Sequence, residues 1–182
     1  MKKQLFFLIL MLCTLSLQAQ TEHMNFAGIP LTGTIDGFQK QLTAKGFHPQ
    51  ALLNKQLPAG TRSFKGLFAG KDGKVVVYYD TKTKMVYAAK VYFDSMTFDR
   101  AKTELDGLKS LLGLKYGEDN IVDGTDESDQ ATFTVNTQLG LIYCYMMKDA
   151  LMTNYPYYWS THVEFNDRAN GSAHQSNILD DY

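Results

Sequence analysis

Of the four histidines in this chain, His162 alone stands among side chains it could work with. Alternate residues of an extended strand share a face, which groups Tyr158, Ser160, His162 and Glu164. An imidazole beside a hydroxyl and a carboxylate has the parts for acid/base chemistry, so His162 and Glu164 are the candidate pair of a hydrolase. The same alternation, with Tyr157, Trp159, Val163 and Phe165 on the opposite face, is what any half-buried antiparallel strand displays. The stronger expectation is an exposed polar face, and no catalytic residue is assigned. His23, His48 and His174 are scattered, without the i, i+4 spacing that lets two imidazoles converge on zinc. Glu118, Asp119, Asp123, Asp126, Glu127 and Asp129 form an acidic stretch, but it lacks the alternating acids and closing Glu of a calcium loop. Neither a metal nor a cofactor is expected.

The aromatic run Tyr155-Pro156-Tyr157-Tyr158-Trp159 is the better pointer to function. With Tyr78, Tyr79, Tyr87, Tyr92, Tyr143 and Tyr145 it makes the strand regions rich in tyrosine. Tyrosine combines flat area with a hydroxyl at low entropic cost, which suits surfaces that hold proteins or glycans. Such rings also serve as cross-strand pairs and core. Tyr155, Tyr158, Trp159 and His162 are the residues expected to touch a ligand, and the expected partner is a protein or a glycan. Lys71, Lys74, Lys82, Lys84 and Lys90 interleave with Asp72 and Asp80 around two turns and read as a solvated edge that resists aggregation.

Two helices and six strands must position these residues. Thr34 caps a helix with apolar positions at Ile35, Phe38 and Leu42, and Gly46 ends it. Ala51-Leu52-Leu53 forms one helical turn at most. Strands follow at 63–69, 75–79 and 85–93. The first two are joined through Lys71-Asp72-Gly73-Lys74, since glycine accepts the positive φ of a tight turn. In the third, Tyr87, Ala89, Val91 and Phe93 share a face. Thr97 caps the second helix, in which Phe98, Ala101, Leu105, Leu108 and Leu112 recur every three or four residues until Gly117. Residues 118–129 read as an exposed loop, and 131–137, 141–147 and 157–165 read as strands. A helix and three strands, twice, predict an α+β fold of tandem αβββ units, with an antiparallel sheet covered on one face by two helices. The half-repeats run over about 26–94 and 95–165 within a single domain at 20–165, and the polar residues 166–182 read as a flexible tail.

Residues 1–19 read as a signal peptide: Lys2 and Lys3, the apolar run Leu5 to Leu12, then a small and polar stretch ending Gln18-Ala19-Gln20. The run is shorter than the ~20 residues of a membrane span. The product is expected in the periplasm or outside the cell, without membrane insertion. Cys13 follows Leu12, where lipoprotein processing needs a small residue, so no lipid anchor is expected. Cys144 then has no partner for an intramolecular disulfide, and its strand neighbours predict a buried, inert thiol. The chain carries 18 basic and 19 acidic residues, a formal net charge of −1, and losing Lys2 and Lys3 makes it more acidic. That balance speaks against nucleic acid as a partner.

Phe26-Ala27-Gly28-Ile29-Pro30-Leu31, Gly33-Thr34-Ile35-Asp36-Gly37-Phe38, Lys45-Gly46-Phe47, Gly66-Leu67-Phe68-Ala69-Gly70, Lys115-Tyr116-Gly117 and the closing Asp180-Asp181-Tyr182 carry a resemblance. The chain resembles a family of small exported proteins of unknown function from Gram-negative anaerobes. These motifs are helix starts, turns and caps, so the resemblance implies a fold rather than a site. The tandem order is also similar to that of secreted enzyme inhibitors of the β-lactamase-inhibitor type, an architectural likeness that implies no activity. The reading is an exported, non-enzymatic binding module with an aromatic sheet face. A hydrolase built on His162 and Glu164, or a structural subunit of an envelope complex, are the alternatives.

Overall fold

Residues 22–148 and 158–179 are described by a computed structural model, so the leader, Tyr155 and Asp180-Asp181-Tyr182 lie outside the described residues. A small hairpin, β1 (Asn25–Phe26) and β2 (Ile29–Pro30), precedes the main sheet. That sheet comprises β3 (His48–Pro49), β4 (Thr61–Phe68), β5 (Lys71–Tyr79), β6 (Val86–Met96), β7 (Ile121–Thr125), β8 (Ala131–Asn136), β9 (Gly140–Lys148) and β10 (Trp159–Asp167). Its order is β3-β4-β5-β6-β10-β9-β8-β7, all antiparallel, so two meanders meet at the centre where β6 pairs with β10. The helices are α1 (Ile35–Ala44), the single turn α2 (Ala51–Asn54), α3 (Phe98–Tyr116) and α4 (Arg168–Leu179).

One sheet face carries the core because alternate strand residues are apolar and the registers align them. Phe64, Val75, Val91, Val163, Cys144 and Phe133 form one row across six strands, with Val77, Ala89, Phe165, Ile142 and Val135 in the next. α1 adds Ile35, Phe38 and Leu42 to the same cluster, and α3 adds Ala101, Leu105 and Leu108. Thr34 and Thr97 cap these helices, each side-chain oxygen accepting from a backbone N–H at 3.3 Å. The chain thus adopts the α+β class, with two helices on one face of an antiparallel sheet. Burial raises the Cys144 thiol pKa far above its ordinary value, which leaves it inert.

Each half gains a fourth strand over the expected three. The two-residue β3 joins the first half, and β7 joins the second where a loop was expected. Asp123 and Gly124 break the apolar pattern of β7, and a sheet edge tolerates both. The β4–β5 hairpin turns at Ala69 and Gly70, with φ of 51° and 80°, rather than at Asp72-Gly73. Two successive positive φ values are the type I′ geometry that matches strand twist. Gly73 instead lies within β5, where a Cβ would stand 2.8 Å from Val91 Cγ2.

Tyr87 leaves the face predicted for it. A bulge pairs Tyr79 with Val86 and Tyr78 with Ala88, and Tyr87 stacks on His174 with ring centroids 4.2 Å apart. Residues 166–179 also depart from the expected tail: Asn166 and Asp167 complete β10, and α4 follows. Asn170, Gly171, Ser172, Ser176 and Asn177 are poor helix formers, which hid the helix. A local cap and tertiary hydrogen bonds supply what propensity does not. Asp167 Oδ1 accepts from Asn170 N at 2.8 Å, Asn170 Nδ2 donates to Leu31 O and Val86 O, and His174 Nδ1 lies 2.9 Å from Asp80 Oδ2.

Candidate functional site

The sheet face opposite α1 and α3 is built of polar and aromatic rows. One runs Lys74, Tyr92, His162, Tyr145, Thr132, and the next runs Val76, Lys90, Glu164, Tyr143, Thr134. α4 covers one end of this face, where His174 meets Tyr87 and Asp80.

His162 was expected to be exposed, and it is 3 % exposed. Its neighbours on both flanking strands are tyrosines. The His162 ring lies 5.3 Å from that of Tyr92 with 10° between planes, and 4.7 Å from that of Tyr145 with 13° between planes. Tyr145 stacks in turn on Tyr143 at 5.0 Å. For His162 and its two cross-strand neighbours, ring spacing matches the ~4.8 Å between strands, so these rings stand on edge and cover one another's faces. Burial, followed by the Lys90 ammonium, lowers the His162 pKa to about 4.

His162 Nε2 lies 2.8 Å from Ser160 Oγ, the spacing of a nucleophile and its base. No described residue orients the imidazole for that role. Glu164 does not orient the imidazole; its Oε1 accepts from Asn166 Nδ2 at 3.2 Å, while His162 Nδ1 is buried with no hydrogen-bond partner. From Thr161 to Asn166 β10 is paired on both sides, so its backbone N–H groups there belong to the ladder. Ser160 Oγ also lies 3.3 Å from Met147 O, a second acceptor for its single proton. A base titrating near 4 is moreover weak at neutral pH.

A hollow of about 650 Å³ opens beside this ladder, within the ~300–1,000 Å³ of small-molecule sites. Lys74, Lys90, Lys148, Tyr92, Tyr158, Trp159, Ser160, His162 and Asp94 are among its lining residues. Lys74 is ion-paired with Asp94 and lies 5.5 Å from the centre of the Tyr92 ring. Burial opposes the Lys90 charge, but the Tyr145 and Tyr78 hydroxyls and the Glu164 carboxylate outweigh it and raise the Lys90 pKa. Trp159, expected on the core face, reaches both sides. β10 is irregular between Trp159 and Thr161, and the indole packs edge-on against Phe98 at 5.0 Å while also walling the hollow.

Tyr158, Trp159 and His162 therefore converge, and Tyr155 falls outside the described residues. Lys90, Tyr92 and Tyr145 are the site residues that sequence reading missed, because only the β6–β10–β9 register sets them beside His162. Among the described residues, no group of three or more His, Cys, Asp or Glu is placed to hold a metal ion. No described helix is long and apolar enough to cross a membrane. No family model, no curated protein and no solved structure matches this chain.

Proposed function

We propose that the chain is an exported binding module that holds a protein segment bearing acidic side chains in the hollow beside His162. One observation carries this reading: three lysines share an aromatic-walled hollow. Asp94 and Glu164 offset two of the lysine charges, which leaves the hollow net positive. Polypeptide suits this surface better than glycan. Sugars stack on open ring faces, whereas Tyr92, His162, Tyr145 and Tyr143 cover each other's faces and offer edges and hydroxyls.

Thermal-shift titration of the protein tests this with three probes: a Glu/Tyr peptide, a Lys/Tyr peptide and an oligogalacturonate. The Glu/Tyr peptide alone is expected to stabilise the fold, and Tyr158→Ala and Trp159→Ala to weaken that effect. Stabilisation by the oligogalacturonate alone would move the reading to a glycan, and no shift with any probe would remove it. The Ser160–His162 spacing favours a second reading, a serine hydrolase. Hydrolysis of a p-nitrophenyl ester that Ser160→Ala abolishes would establish it, and hydrolysis unchanged by Ser160→Ala would dismiss it.

A further inference from the structure

The geometry points to a second ligand site on the helix-covered face: a groove that takes the chain of a free long-chain carboxylate, with its head group on Lys45. The cavity lies where α3 of the second half meets the β1–β2 turn and the β4–β5 hairpin of the first, over the central strand β10. Val163 and Phe165 of β10 line a cavity of about 520 Å³, walled by Leu108 and Leu112 of α3 and by Phe47 and Phe68. Leu111, 60 % exposed, and Leu67, 63 % exposed, flank it. Isolated exposed leucines are ordinary, but two on one apolar groove mark a surface built to be covered.

The polar groups at the groove are few and placed at its edge. A Cβ on Gly28 would lie 3.3 Å from Lys45 Nζ, which sets that ammonium over the β1–β2 turn, where Gly28 has a φ of +73°. Lys115 Nζ lies 4.8 Å from the centre of the Tyr116 ring. Neither lysine forms an ion pair among the described residues. An apolar channel with uncompensated ammonium groups at its mouth complements one anionic head and one apolar tail. An extended peptide would strand its backbone N–H and C=O groups against this lining. A bilayer lipid would bring two chains to a single cavity of about 520 Å³.

Titration with hexadecanoate below its micelle-forming concentration tests the site, with hexadecanol as the uncharged control. Saturable one-to-one binding is expected, with amide shift changes at Leu108, Leu112, Val163 and Phe165. Leu111→Trp, which fills the groove, should weaken hexadecanoate by about tenfold or more, equivalent to about 1.4 kcal/mol. Lys45→Glu should weaken hexadecanoate by about tenfold and leave hexadecanol unchanged. Both positions are exposed, and an unchanged melting curve confirms that each variant is folded. Absence of saturable binding would overturn the site, as would shift changes confined to the Tyr92–His162 face. Indifference to both substitutions, or binding only to phosphatidylglycerol vesicles, would do the same.

Discussion

His162 and Ser160 share a 2.8 Å hydrogen bond within one strand, while the far nitrogen of the same imidazole has no partner. If the Ser160 hydroxyl donates to Met147 O, Nε2 must carry the ring proton and Nδ1 is a bare acceptor. If Ser160 donates to Nε2 instead, Nδ1 carries a proton with nowhere to donate it. Either tautomer is neutral, and either leaves a buried nitrogen without a hydrogen-bond partner.

The first prediction concerns pH. Folded His162 binds its proton less readily than an unfolded histidine does, so the unfolded state takes up protons first as pH falls below 6.5. Stability should be lost from there down to about pH 4, by about 3 kcal/mol in all. His162→Phe keeps a ring between Tyr92 and Tyr145 and should flatten that part of the profile. Urea denaturation of both proteins at pH 7 and pH 4 measures the difference, and parallel losses would refute it.

Asp80 acts with the same sign at lower pH. The Thr83 backbone N–H, then His174, hold its carboxyl well below the usual carboxylate range, against the opposing effect of burial. Stability from this group is present above pH 3.8 and is lost as pH falls further below that value. Asp80 Oδ1 accepts from Lys82 N and Thr83 N, and Oδ2 faces His174 and Asn177, so one carboxylate ties the 80–84 turn to α4. Asp80→Ala should cost about 2–4 kcal/mol. Faster amide exchange through α4 is the specific signature, and a uniform change across the sheet would contradict it.

Two glycines should respond in opposite directions to alanine. A Cβ at Gly140 would stand 2.0 Å from the backbone oxygen of Asn166, across the β9–β10 pairing. Gly140→Ala should therefore destabilise by about 3 kcal/mol or more. Gly171, inside α4, has open space where its Cβ would go. Gly171→Ala should stabilise by up to about 1 kcal/mol. Thermal melts of the two variants side by side check both signs.

The two long-lived signals in the sequence were helix caps and apolar periodicity. Thr34 and Thr97 announce α1 and α3, and alternation at Val75, Val77, Val163 and Phe165 announces the core rows, because these patterns depend on local geometry alone. What stayed hidden depends on register or on tertiary hydrogen bonds. Nothing local tells that Tyr92 and Tyr145 flank His162, or that a bulge turns Tyr87 toward His174. α4 is hidden for the same reason: beyond the local cap at Asp167, its anchors are Asp80 and the carbonyls of Leu31 and Val86, far from it in sequence. The grouping of Tyr158, Ser160, His162 and Glu164 was legible, but the burial that changes its chemistry was not.

The single tryptophan of the chain, Trp159, walls the hollow beside His162, so its fluorescence reports directly on that site. Titrating the protein with a Glu/Tyr peptide should shift Trp159 emission saturably. Lys90→Ala should abolish the shift, and a Lys/Tyr peptide should not produce it. An emission spectrum indifferent to the acidic peptide, or a shift that survives Lys90→Ala undiminished, would contradict the assignment of this hollow as the binding site.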